Sequence, residues 1–226
     1  MLFLDSHDEE LINVLSGQLI DHSQYVEIGA GNGSTALYFK TLFPAASVLA
    51  VEALQSTHLK LEKNCEGRGI RTQRATVSSV VSAPIFDGSL DLGRTTTLDQ
   101  LTDRMEHVDL LKISTVNLAT KIISGSARTI SKTSILTMPV SGNFRLEQEE
   151  AHHSKADLMQ EQIDLLGFPF VYCFMDRGDL VQAEHVPDVA SILEGSDGDH
   201  TLVFARGPIP AITPQGYLFK VFAQRQ

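Results

Sequence analysis

Tyr25-Val26-Glu27-Ile28-Gly29-Ala30-Gly31-Asn32-Gly33-Ser34 decides the fold. Its first four residues read as a buried strand that stops at Gly29, and residues 34–43, ending before Pro44, read as a helix. Glycines between a strand and a helix permit a tight turn and let a ligand come close to the backbone. Many nucleotide sites share that need, so the glycines by themselves discriminate little. Two details narrow the reading. Glu27 places a carboxylate inside an otherwise apolar strand, and burying a carboxylate is costly unless something compensates. A ligand carrying an ammonium and a sulfonium compensates it, whereas a pyrophosphate is repelled. The spacing also departs from the dinucleotide fingerprint, which asks for glycine or alanine three positions after its second glycine. Counted from Gly29 and Gly31, that place is Ser34, and the extra glycine falls at Gly33. Both details disfavour a nicotinamide-dependent oxidoreductase. The plain alternative for Glu27 is a salt-bridged strand residue.

Outward from the turn, Val48-Leu49-Ala50-Val51-Glu52 is a second strand with an acid at its end, about 20 residues past the glycines. Such a residue accepts both hydroxyls of a ribose; otherwise it is a helix-start carboxylate. Strand and helix then alternate. Residues 56–65 read as a helix stopped by Gly67 and Gly69, 70–77 as a strand, 98–105 as a short helix and 108–113 as a strand. Residues 118–130 read as a helix, 134–138 as a strand, and 155–166 as a helix ended by Gly167. Upstream, Ser6 and Glu9 form a capping box ahead of Leu11, Ile12, Val14 and Leu15. This order predicts an α/β fold: a three-layer, doubly wound, mostly parallel sheet of the Rossmann-like kind. Two late strands, 170–175 and 201–205, have no clear helix between them and are expected to pair antiparallel at one edge near the C-terminus. The chain is expected to form one domain over 1–226, with an N-terminal helix within 1–20 and a tail over 207–226.

With 226 residues, 42% apolar and 20% charged, the composition is that of a globular chain able to bury a large core. The formal net charge of −10 lacks the basic footprint with which nucleic-acid binders hold phosphates. Cys65 and Cys173 lie far apart and show no metal spacing, so neither a disulfide framework nor a metal site is expected; two buried thiols fit a reducing compartment. The N-terminus has no basic region and too short an apolar run for a signal peptide, and no stretch approaches membrane-spanning length. The expectation is a cytoplasmic protein that engages neither nucleic acid nor membrane.

The chain resembles the S-adenosylmethionine (SAM)-dependent methyltransferases of class I, and among them the FkbM family. The resemblance rests on residues 26–33, Val51-Glu52-Ala53, Lys63-Asn64, Ala75-Thr76-Val77-Ser78, Thr97-Leu98-Asp99-Gln100-Leu101 and Val108-Asp109-Leu110-Leu111-Lys112-Ile113, and covers roughly residues 20–140. It implies methyl transfer from SAM to an oxygen of a small molecule, a hydroxyl or carboxyl of a sugar or secondary metabolite. It further implies that Glu27, Gly29, Gly31, Gly33 and Glu52 line the cofactor, with Thr76 and Val77 near its adenine. Where the family typically reads Lys-Ile-Asp-Val-Glu-Gly, this chain has Lys112-Ile113-Ser114-Thr115-Val116-Asn117, and both acids are gone. By the resemblance this segment lies beside the transferred methyl group.

A hydroxyl acceptor usually needs a base, and a carboxylate acceptor does not. The candidate bases are His152 and His153, in a polar segment after the fifth strand; the plain alternative is two solvated loop histidines. Lys112 is expected to snorkel or pair, and His7 with the acids at 8–10 to form a solvated helix start. A second reading stays open, a methyltransferase-fold binding protein that has lost turnover with its acids. The apolar run 217–222 is a candidate dimer strand under either reading.

Overall fold

The computed structural model describes residues 6–81, 86–87, 90–91, 93–115, 119–140, 166–175, 180–183 and 200–210. Helix α1 (Ser6–Leu15) runs into a 3-10 turn and then strand β1 (Gln24–Ile28). There follow α2 (Ser34–Leu42), β2 (Ser47–Glu52), α3 (Gln55–Cys65) and β3 (Ile70–Arg74). Four two-residue strands come next: β4 (Thr76–Val77), β5 (Phe86–Asp87), β6 (Leu90–Asp91) and β7 (Thr95–Thr96). Then come α4 (Leu98–Leu101), β8 (Val108–Ile113), α5 (Ala119–Ser124), α6 (Ala127–Ser131) and β9 (Thr133–Val140). The late strands are β10 (Phe170–Phe174), β11 (Leu180–Ala183) and β12 (His200–Ala205).

Eight of these strands make one sheet in the order β11-β10-β12-β9-β8-β1-β2-β3. The five from β9 to β3 are parallel to one another, while β12 runs antiparallel to both of its neighbours and β11 antiparallel to β10. Side chains alternate across the sheet. Val26, Ile28, Leu49, Val51, Leu111, Ile113, Leu136 and Phe204 face a core closed by Leu98, Leu101, Ile122 and Ile130 of α4, α5 and α6. Tyr25, Val48, Ala50, Leu110, Ile135, Val203 and Phe174 face a second core closed by Leu11, Ile12, Leu15, Ala36, Phe39 and Leu61 of α1, α2 and α3. This is the expected three-layer α/β architecture. Among the described residues no helix is long and apolar enough to cross a membrane.

Three expected elements differ. The strand read over 70–77 divides at Ala75. Strand β2 ends at Glu52, so β3 loses its partner there; Thr76 N then donates to Arg94 O (3.0 Å) and Ser78 N to Thr96 O (2.9 Å), drawing β4 to β7. The helix read over 118–130 breaks between α5 and α6 at Gly125. A Cβ there would stand 2.5 Å from Ser78 O, so the break gives room for the chain at 78–79 to cross. Ser126 Oγ donates to the carbonyls of Ile122 (2.8 Å) and Ile123 (2.7 Å), and Asp99 accepts from Arg128 N (3.2 Å) and Thr129 N (2.7 Å), capping the new helix. Finally, the strands expected at 170–175 and 201–205 do pair antiparallel, but β12 lies inside the sheet between β9 and β10. The edge is β11, a strand not read from sequence. The segment 141–154, most of the helix expected at 155–166 and the run 217–222 lie outside the described residues.

Candidate functional site

Strand β1 delivers the chain to a turn in which Gly29, Gly31 and Gly33 all have positive φ (80°, 56° and 85°). Side-chain-bearing residues rarely hold such angles, which accounts for three glycines in five positions. Their surroundings differ. A Cβ on Gly29 would stand 2.8 Å from Thr115 Cγ2, and one on Gly33 would stand 2.7 Å from Leu61 Cδ1 and 3.0 Å from Cys65 Sγ. A Cβ on Gly31 would meet nothing within 4 Å. Gly29 and Gly33 therefore allow close packing beneath the turn, and Gly31 borders open space.

The turn is fastened from three sides. Gly29 N and Ala30 N both donate to Val51 O at 2.9 Å. Glu52 at the end of β2 accepts from Gly31 N through Oε2 (3.0 Å) and from Leu54 N through Oε1 (2.9 Å). Asn64 of α3 donates from Nδ2 to Asn32 O (2.8 Å), and Asn32 Oδ1 accepts from Ser34 N (3.1 Å) at the start of α2.

Beside the turn lies a cleft of about 240 Å³ lined by Asp8, Glu27, residues 29–32, Ser34, Thr35, Lys112 and Ser114. Strand alternation sets its charged floor. Glu27 on β1 is in register with Lys112 on β8, and both point to the face covered by α1 and α2. Lys112 Nζ is 3.6 Å from Glu27 Oε1 and 3.1 Å from Asp8 Oδ2, and it donates to Ser114 Oγ at 2.5 Å. Asp8 Oδ2 also accepts from Thr35 Oγ1 (3.0 Å). Glu27 is only 2% exposed, its Oε2 is buried, and hydrogen bonding from the Tyr25 phenol and the Lys112 ammonium acts on the carboxylate. Burial lifts the Glu27 carboxyl to about 7; the Lys112 ammonium opposes that shift and the Asp8 charge adds to it. Burial, with the Glu27 and Asp8 charges, pushes the neighbouring Tyr25 phenol well above its usual value. Two carboxylates face one ammonium here. With both acids ionised the cluster carries one net negative charge, which favours a cationic group in the cleft.

The expected cofactor residues are thus partly assembled. Glu27, Gly29 and Gly31 line the cleft, while Gly33 packs below the turn and Glu52 holds it. Thr76 and Val77 are buried where β4 pairs with β7 and are not among the residues lining this cleft. His152 and His153 lie outside the described residues. Glu27 pairs with Lys112, the plain alternative weighed from sequence, and it does so at the floor of the cleft. Two participants were missed. Asp8 reads from sequence as an acid in a helix's first turn, yet α1 packs on the sheet, with His7 Nε2 3.0 Å from Thr201 Oγ1 and the His7 ring edge-on to Phe174. The helix start expected to be solvated is therefore a wall of the site. Ser114 was noted only for what it replaces. No local pattern marks either residue, because the cluster joins three segments remote in sequence.

The chain is similar in fold to solved methyltransferase structures. A precorrin-6y C5,15-methyltransferase from Geobacter metallireducens matches with a TM-score of 0.51 and 12% identity over 88% of this chain and 87% of that one. The N-terminal domain of human METTL16, in complex with SAH, matches with a TM-score of 0.54 and 12% identity over 92% and 73%. A fibrillarin/Nop5p complex matches with a TM-score of 0.52 and 11% identity over 91% and 87%. No family model matches the chain, and no curated protein matches it by sequence. The chain accordingly has the Rossmann-like α/β fold that these methyltransferase structures share.

Proposed function

We propose that the cleft binds S-adenosylmethionine and that the chain is a SAM-dependent methyltransferase acting on an oxygen of a small-molecule acceptor. The observation that carries this reading is the Asp8–Glu27–Lys112 cluster, with one carboxylate in excess, lining the cleft beside a glycine turn open at Gly31. An amino-acid ammonium complements the excess carboxylate, and a mixed cluster of this kind suits a zwitterion better than a phosphate. Glu52 keeps lone pairs free after accepting from Gly31 and Leu54, which leaves it able to take ribose hydroxyls. When bound, SAM supplies a methyl group activated by its sulfonium. The protein's part is to hold the ammonium on Glu27, keep the turn rigid through Glu52 and Asn64, and bring the acceptor to the end of β8.

Within the class, the FkbM-like segments support a relation to that family, and Asn64, quoted among them, has a physical role in holding Asn32. The net charge of −10 favours a small acceptor over a nucleic acid. Two free, buried thiols, raised by burial to about 11 at Cys65 and about 12 at Cys173, suit a cytoplasmic setting. Titration calorimetry with SAM and with its demethylated product tests the reading. Micromolar binding is expected, and no heat at millimolar ligand ends it.

A second reading keeps the binding and drops the turnover. Ser114 in place of a family acid favours it. A labelled methyl group moving from SAM to any metabolite of an extract rejects that alternative.

A further inference from the structure

We infer that Asp8, carried by the first helix, is a positioning residue of this cleft: by holding the Lys112 ammonium it keeps Glu27 available to a ligand's cationic group. This rests on the SAM reading above and adds to it a control of the site by α1. Lys112 Nζ stands 3.1 Å from Asp8 Oδ2 and 3.6 Å from Glu27 Oε1, so the ammonium is shared and sits nearer the helix acid. One cation cannot neutralise two carboxylates. With Asp8 charged, the floor of the cleft keeps a negative charge. With Asp8 neutral, Lys112 and Glu27 would form a closed ion pair, and an arriving ammonium would compete with Lys112 for the same oxygens.

Asp8 is held in place for this part. Its Oδ2 accepts from Thr35 Oγ1 (3.0 Å) in the first turn of α2, and Tyr38 of the same helix donates to Asn13 Oδ1 (2.8 Å) further along α1. Leu11, Ile12 and Leu15 bury α1 against the sheet, and His7 meets Thr201 of β12. A carboxylate on a helix anchored in this way keeps its distance to the lysine. The arrangement also couples ligand capture to a proton. The charged and titratable groups that interact with Glu27 are Lys112 from β8, Asp8 from α1, Tyr25 from its own strand and Cys65 from α3. Burial lifts the Glu27 carboxyl to about 7; the Lys112 charge opposes the shift, the Asp8 charge adds to it, and the hydrogen bond from Tyr25 opposes it. An ammonium arriving at Glu27 favours the ionised form. Below about pH 7 the carboxyl therefore gives its proton to the solvent as the cation binds.

The test titrates the full chain with the demethylated cofactor by calorimetry between pH 6 and 8, in two buffers of different ionisation enthalpy. Wild type is expected to bind more tightly as pH rises through 7 and to release a proton on binding at pH 6.5. Asp8→Asn keeps an oxygen for Thr35 and removes only the charge. It is expected to bind about tenfold more weakly at pH 8, the effect of one charge several ångströms away in a partly buried site, and its pH dependence should move to lower pH. Asp8→Glu returns the charge and should restore both. In the ligand-free proteins, carbon-13 NMR should show the Glu27 carboxyl titrating at lower pH in Asp8→Asn than in wild type. Equal affinity in Asp8→Asn overturns the inference. So does a weakened affinity whose pH dependence is unmoved, a Glu27 titration that ignores Asp8, or a profile that Asp8→Glu fails to restore. If wild type does not bind the demethylated cofactor, the SAM reading falls and this inference with it; if it binds and Asp8→Asn binds alike, only the part given to Asp8 falls.

Discussion

Replacing Glu27 by Gln isolates the buried carboxyl of β1. The carboxyl titrates near 7 in the folded chain and near 4.5 when exposed. Below pH 4.5 both states hold the proton. Between 4.5 and 7 the unfolded chain releases it while the folded chain keeps it, so stability falls as pH rises through that window. A shift of this size corresponds to about 3 kcal/mol lost between pH 4.5 and 7. A glutamine cannot titrate, so Glu27→Gln lacks this slope. The measurement is urea denaturation of both proteins at pH 5, 6, 7 and 8, taking the difference between them so that other titrations cancel. The variant should gain on the wild type by roughly 2–3 kcal/mol from pH 5 to pH 8. Saturating SAM should stabilise the wild type strongly and the variant weakly, because the ammonium's partner has lost its charge. A difference that is flat with pH refutes the burial and pairing described for Glu27, whatever the ligand.

The two outer glycines should behave differently from the middle one. Gly33→Ala forces a methyl against Leu61 and Cys65 and is expected to cost about 2–3 kcal/mol in denaturation. Gly31→Ala meets open space, so it should fold with a loss of about 1 kcal/mol from its positive φ, and calorimetry should show weakened SAM binding. Lys112→Met leaves Asp8 and Glu27 without their shared cation. A loss of about 3 kcal/mol or more at pH 8, shrinking toward pH 5 as Glu27 protonates, is the expected denaturation result. Asp99→Ala removes the cap of α6 and is expected to cost about 1–2 kcal/mol. Hydrogen bonds from Thr129 and Arg128 outweigh burial and hold the Asp99 carboxyl below its usual value, so this difference should fade as pH drops below the ordinary aspartate range.

Much of the frame was legible because it is local. The alternation of Val26, Ile28, Leu49 and Val51 with Tyr25, Val48 and Ala50 specifies strands covered on both faces, and the glycines at 29, 31 and 33 stand where only positive φ completes the turn. The breaks were not legible. Ala75 looks like any strand residue, and β4 leaves the sheet only because β2 has ended beside it. Gly125 reads as a tolerable helix glycine until the carbonyl of Ser78 is seen 2.5 Å from where its Cβ would be. The late strands showed their type and not their order, since a sheet edge is a property of neighbours.

Sequence alone determined the layered α/β frame, the glycine turn and the anomaly of an acid at Glu27, since each follows from residue periodicity or backbone freedom within a few positions. Tertiary structure alone decided what that acid meets. Asp8 from the first helix and Lys112 from β8, separated by about a hundred residues, converge on it because strand register and helix packing bring them together. Burial raises its carboxyl, the Lys112 charge opposing that shift and the Asp8 charge adding to it, and the same lysine donates to the Ser114 hydroxyl. Electrostatics acts through distance in space, and distance in space is what the chain order does not carry.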